Sequence, residues 1–94
     1  MIRNFANPET ELVWRGQQSR KLPPDIQQTA RRKMRAINRA TLPHQLANPT
    51  GNHFKELKGT RKGTYSVRIN DQWRITYRWL DGDAYDVRIE DYHR

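Results

Sequence analysis

Residues 64–92 alternate. In three runs, 64–70, 73–79 and 84–92, the odd-numbered positions are mainly apolar and the even-numbered ones mainly polar. Successive side chains of a strand point to opposite faces, so a period of two marks a strand with one buried and one wet face. Tyr65, Val67, Ile69, Trp73, Ile75, Tyr77, Trp79, Tyr85, Val87 and Ile89 are expected inside. Arg68, Arg74, Thr76, Arg78, Arg88, Glu90 and Tyr92 are expected outside. Asn70-Asp71-Gln72 and Asp81-Gly82-Asp83 supply the turns, the second with the Asp-Gly pair that suits a tight hairpin. The result is an antiparallel sheet whose polar face carries four arginines. Such a face is either a solvated surface or a site for a polyanion.

The apolar face needs a cover, and the preceding chain supplies helices. Asn7-Pro8-Glu9 reads as a helix start, with Asn at the cap and Pro at the first helical position. A short helix over 10–15 follows, ended by Gly16. Pro23-Pro24-Asp25 opens the principal helix, expected over 24–40. Its Ile26, Ala30, Met34 and Ile37 recur at spacings of four, four and three, an apolar stripe for the sheet. Arg31, Arg35 and Arg39, with Arg32 and Lys33 beside them, make its other face basic. That ridge is either a solvated helix surface or a phosphate-contacting one. Met1 to Phe5 is expected to pair at the sheet edge, 41–52 to be a loop, and 53–58 to be a short strand. The fold class is α+β: two N-terminal helices packed on a twisted antiparallel sheet, as one domain over 1–94.

Composition narrows the function. The net charge of +8 and the excess of arginine over lysine favour a phosphate-bearing partner, nucleic acid before membrane. There is no cysteine, and His44, His53 and His93 lack metal-ligand spacing, so neither a disulfide framework nor a metal site is expected. No signal-peptide run and no bilayer-spanning segment is present, which leads to the expectation of a soluble cytoplasmic protein. Gly59 and Gly63 bracket a basic turn, but without a following helix this is no P-loop.

What remains is arginine, lysine, tyrosine and histidine on a polar sheet face. RNA cleavage needs a base for the 2′-hydroxyl, a cation for the phosphorane and an acid for the leaving 5′-oxygen. Histidine titrates in the right range, and Arg and Lys suit the phosphorane. Arg68 and Arg74 fall on paired strands facing one way, with Tyr92 on the matching face of the third. His93 follows where the alternation ends; a histidine there is otherwise an ordinary exposed side chain.

Three strings occur in order: Leu57-Lys58-Gly59, then Tyr65-Ser66-Val67-Arg68-Ile69-Asn70-Asp71-Gln72-Trp73-Arg74-Ile75, then Asp91-Tyr92-His93. With Met1-Ile2-Arg3-Asn4-Phe5 and the central helix, the chain resembles the HigB toxins of the RelE/ParE superfamily over essentially its whole length. The resemblance implies a RelE/ParE-like fold and a bacterial, cytoplasmic toxin of a type II toxin–antitoxin pair, active in stress response. It implies an endoribonuclease that enters the ribosomal A site and cuts mRNA without metal or cofactor, stopping translation. It also implies a HigA-like antitoxin with a helix-turn-helix domain, through which alone operator DNA would be met.

Carried over by position, Arg74 would contact the scissile phosphate, and Asp91, Tyr92 and His93 would form the C-terminal part of the active site. Lys58 would stabilise the transition state, and Arg68 is added from strand alternation. Some relatives carry a histidine at the position of Lys55. His53, two residues upstream, would substitute only through a shifted or bulged strand. His93 is the expected base, with Lys55 and Lys58 as electrostatic support, and the choice stays open. Arg31, Arg32, Arg35 and Arg39 would hold ribosomal RNA. Two other readings share this sequence: a non-enzymatic ParE-type inhibitor of DNA gyrase, and a plain RNA-binding module.

Overall fold

The computed structural model describes residues 1–91. Two helices come first, α1 (Pro8–Trp14) and α2 (Pro24–Arg39). A four-stranded sheet follows: β1 (Lys55–Glu56), β2 (Thr64–Arg68), β3 (Trp73–Leu80) and β4 (Asp83–Asp91). All strand pairs are antiparallel and the spatial order is the chain order, β1-β2-β3-β4. The expected α+β architecture is the observed one.

Local signals explain where α1 begins and ends. Asn7 accepts the Thr10 N–H at 2.9 Å, Pro8 takes a helical position that has no N–H to satisfy, and Gly16 adopts φ +81° beyond the last turn. A side chain at Gly16 would also meet the Arg31 guanidinium, 3.3 Å from an ideal Cβ. In α2 the expected stripe is the buried one: Ile26 is 2% exposed, and Ala30, Met34 and Ile37 are at zero. Burying a side chain such as Met34 or Ile37 contributes about 1.5–3 kcal/mol. That burial, more than helix propensity, is what holds a segment of this length helical. The stripe joins Val67, Ile75, Tyr77, Val87 and Ile89 from the sheet in one core.

The first residues lie along the outer edge of β4, as expected, through parallel bridges Ile2–Ala84 and Phe5–Val87. The Arg3 N–H donates to the Ala84 carbonyl at 2.8 Å, and the Ala6 N–H donates to that of Val87 at 2.9 Å. Farther along, the Thr10 hydroxyl accepts the Ile89 N–H at 3.0 Å. The ribbon and α1 thus satisfy an edge that would otherwise expose its backbone.

One strand departs from strict alternation. Between Thr76–Arg88 and Arg78–Tyr85 the register slips, because Asp86 is an extra residue with φ +54°. Such a bulge reverses the facing of everything beyond it. Ala84, not Tyr85, enters the core at zero exposure, while Tyr85 stands opposite Arg78 on the polar face and is half-buried. The Asp86 N–H, released from the ladder, is taken by the Asn4 Oδ1 at 2.7 Å.

Two other expectations are corrected. The 53–58 strand shrinks to Lys55–Glu56, because His53 takes a left-handed conformation (φ 44°) and a 3-10 turn, Gly59–Arg61, follows Lys58. The polar face is not wholly wet: Ser66, Thr76 and Arg74 are 0%, 2% and 7% exposed. Side chains and carbonyls from 53–61 reach over it, as the site shows. The 41–52 loop contains two 3-10 turns, Pro43–Ala47 and Thr50–Asn52.

Candidate active site

Register places the polar side chains in rows. Lys55, Ser66, Thr76 and Arg88 share one row across all four strands, and Arg68, Arg74 and Glu90 share the next. Arg74 does not stand up into solvent. Its side chain lies across β2, where Nε donates to Ser66 Oγ and Nη2 donates to the His53 carbonyl at 2.6 Å. Two donors of the fork are thereby fixed on different segments, which sets the plane of the guanidinium. The left-handed turn at His53 is what lets that carbonyl face Arg74 rather than a neighbouring strand.

Arg68 stands beside it. One nitrogen donates to Asp71, and another is 3.4 Å from the His53 imidazole Nε2. From beneath, the Lys33 ammonium of α2 donates to the Arg68 carbonyl. Burial lowers the Lys33 pKa, and the charges of Arg32, Arg68 and Arg74 lower it further.

Of the residues expected from the sequence, the structure brings His53, Lys55, Arg68 and Arg74 together at the end of the sheet where β4 finishes. Asp91 is at that end too, opposite Trp73, with its carboxylate accepting from Gln72 Nε2 at 3.0 Å. Tyr92 and His93 lie outside the described residues. Lys58 is at the far end of β1, where it lines a recess of about 340 Å³ with Glu56, Leu57, Gly59 and Lys62. His53 sits against Arg68 without any shift of β1, and Lys55 keeps the position opposite Ser66. On the opposite side of the molecule Arg32, Arg35 and Arg39 are exposed along α2. Arg31 differs from them: its Nε donates to the Trp14 carbonyl at 3.2 Å, joining α2 to the C-terminal end of α1.

Alternation placed Glu90 on the polar face without giving it a role, and did not single out Ser66 or Arg61. Ser66 was legible as a small polar residue at an even position, but its role depends on where Arg74 leans. Glu90 accepts from Arg61 through both oxygens, at 3.1 and 3.0 Å, and from Thr76 Oγ1 at 2.6 Å. Burial acts to raise the Glu90 carboxyl pKa, but the hydrogen bonds from Arg61 and Thr76, with the charges of Arg61 and Arg88, outweigh it and leave it lowered. A carboxyl held low when folded stabilises the fold above the ordinary carboxylate range and loses that contribution as pH falls through its folded value. Glu90→Gln should therefore flatten the fall in urea midpoint between about pH 5 and pH 3. Parallel curves for the two proteins would refute this.

Among the described residues no His, Cys, Asp and Glu cluster is arranged to hold a metal ion, and no helix is long and apolar enough to cross a membrane.

Two solved structures share this architecture. The YoeB–YefM complex from Staphylococcus aureus superposes with a TM-score of 0.64 at 17% identity, covering 100% of this chain and 99% of that one. A mutant of YafQ from E. coli gives 0.60 at 17% identity, covering 89% and 81%. The fold is that of the RelE-like toxins. The model for HigB-like toxins, RelE-like toxins of the type II toxin–antitoxin system HigB, matches residues 4–93, and the chain belongs to that family. Endoribonuclease HigB of Proteus vulgaris is 31% identical over 93 residues, 99% of this chain and 100% of the relative. Toxin HigB-1 of Vibrio cholerae is 34% identical over 71 residues, 76% of this chain and 75% of the relative. A toxin of such a pair has an antitoxin as its partner.

Proposed function

We propose that this toxin is an endoribonuclease that cuts mRNA in the ribosomal A site and so arrests translation. The observation that carries the reading is the Arg74 guanidinium, held flat on the polar face by Ser66 and the His53 carbonyl, with Arg68 and Lys55 beside it. A fixed, planar cation in a partly desolvated site suits the charge that develops on a phosphorane. β4 reaches its last described residue, Asp91, at this same end of the sheet. In this reading Arg74 contacts the scissile phosphate and His93 removes the 2′-hydroxyl proton. The 2′-oxygen then attacks phosphorus, the P–O5′ bond breaks as a 2′,3′-cyclic phosphate forms, and the leaving 5′-oxygen takes a proton from water. Asp91 and Tyr92 complete the C-terminal part of the site, Lys58 supports the transition state, and Lys55, Arg68 and His53 supply further positive or polar contacts.

The exposed Arg32, Arg35 and Arg39 of α2 lie on the opposite side of the molecule, where they would hold ribosomal RNA while the sheet face holds mRNA; Arg31 contributes at the joint with α1. The partner is an antitoxin with a helix-turn-helix domain, through which operator DNA is met. The test is to map mRNA 5′ ends after brief induction, beside plasmid supercoiling. New 5′ ends within translated frames, with unchanged supercoiling, are expected. Growth arrest with altered supercoiling and intact mRNA would instead point to gyrase poisoning and overturn the proposal.

A further inference from the structure

The polar face has a second pocket that the Arg74 site leaves unused. It has a volume of about 280 Å³; Arg61, Arg78 and Arg88 line it with Thr60, Thr64 and Thr76, and the Asp86 carboxylate, Ala6 and Tyr77 complete the lining. Two of its three guanidiniums are tethered from the side. Glu90 holds Arg61 through both carboxylate oxygens, and Asp86 holds Arg78 at 2.9 Å. The third, Arg88, is exposed, and no hydrogen bond or ion pair joins its side chain to another described residue. As stabilising devices these surface ion pairs are weak, about 0–1 kcal/mol each. As positioning devices they are effective, because each fixes a planar fork at the rim of one concavity. Three cations against two carboxylates leave the pocket positive, and threonine hydroxyls line it between them.

We propose that this pocket is a second phosphate subsite, which takes a backbone phosphodiester of the RNA strand away from the bond being cut. The inference rests on the proposed endoribonuclease reading, since the strand must lie on the polar face. Arg74 and Arg78 are four residues apart on β3, about 13 Å at the rise of an antiparallel strand. A single strand crossing the face along β3 therefore meets one fixed guanidinium at the scissile phosphate and another group farther on. Arg88 makes the direct contact, and the positive charges of Arg61 and Arg78 lie beside it. A phosphodiester fits better than a nucleobase or an apolar side chain, because the lining supplies guanidinium and hydroxyl donors. An acidic protein segment is the competing occupant.

The probe is a series of 2′-O-methyl oligoribonucleotides of one sequence, uncleavable at the 2′-position, each with a single phosphodiester replaced by an uncharged methylphosphonate. Anisotropy across a salt series gives affinities for the wild type and Arg88→Glu. Arg88→Glu should weaken binding about tenfold, the effect of losing one charge-assisted contact. It should also reduce the slope of log K against log salt by about 0.7, the value for one phosphate on a single strand. One methylphosphonate position should weaken the wild type to a similar degree and leave Arg88→Glu unaffected. That coupling identifies one phosphate at one pocket. Equal losses at every position, an unchanged affinity for Arg88→Glu, or no measurable wild-type binding at low salt would each overturn the subsite. So would an Arg88→Glu effect seen with polyglutamate and absent with the oligonucleotides. If the coupling holds while cells arrest with uncut mRNA, the cleavage reading fails and the subsite stands. If mRNA is cut and no coupling appears, only the subsite fails.

Discussion

Arg74→Ala is expected to reduce mRNA cleavage by about 10²–10³-fold, the usual cost of removing a group aimed at developing charge. The same substitution should also weaken the fold, because Arg74 is only 7% exposed and serves two partners on different segments. Ser66, fully buried, would lose the donor to its hydroxyl, and the His53 carbonyl would lose its donor across β2. A buried polar group left unsatisfied, as Ser66 Oγ would be, costs about 1–3 kcal/mol. Arg74→Lys keeps the charge and loses the fork, so it should recover part of the stability and little of the rate. Urea unfolding and cleavage during translation, measured on the same proteins, separate the two effects. A fully stable Arg74→Ala protein that still cuts at the wild-type rate would refute both the structural and the catalytic assignment.

His93→Ala is expected to lower cleavage through loss of the base. A positioned acid or base contributes about 10²–10⁴-fold, so cleavage should fall by that factor while ribosome binding persists. A histidine base works only when neutral, so the wild-type rate should decline on the acid side of neutrality. The variant should lose that dependence along with its rate. Wild-type cleavage by His93→Ala would remove His93 from the mechanism. His53→Ala would then be the next substitution to measure, since its imidazole already lies 3.4 Å from Arg68.

The architecture was legible because burial has a period. The α2 stripe and the alternation of β2, β3 and the C-terminal part of β4 followed from it, while the cap at Asn7 and the Asp81-Gly82 hairpin followed from cap and turn chemistry. Reading failed where one backbone angle breaks the period. The left-handed Asp86 exchanges Tyr85 and Ala84 between faces, and no hydrophobic pattern announces it. The site was legible as a set of residue types, less so as an arrangement. Alternation puts Arg74 on the polar face but cannot show a side chain lying flat across β2 against Ser66. Nor can it show that Arg31 leaves the basic ridge to meet the end of α1. Those are facts of tertiary packing, settled by residues distant in the chain.

The ribbon formed by the first residues has a consequence for how the toxin comes into being. Residues 2 and 5 are bridged to residues 84 and 87, so the sheet edge closes between segments far apart in the order of synthesis. β4 is the last of the strands to be translated, yet it supplies the neighbour of both β3 and the ribbon. Closing so long a loop costs entropy before any contact returns it, which makes such topologies slow to fold. The sheet that carries Arg74 cannot be complete until translation of this domain is nearly finished. A toxic site built on this sheet is thereby deferred until its last strand has been made.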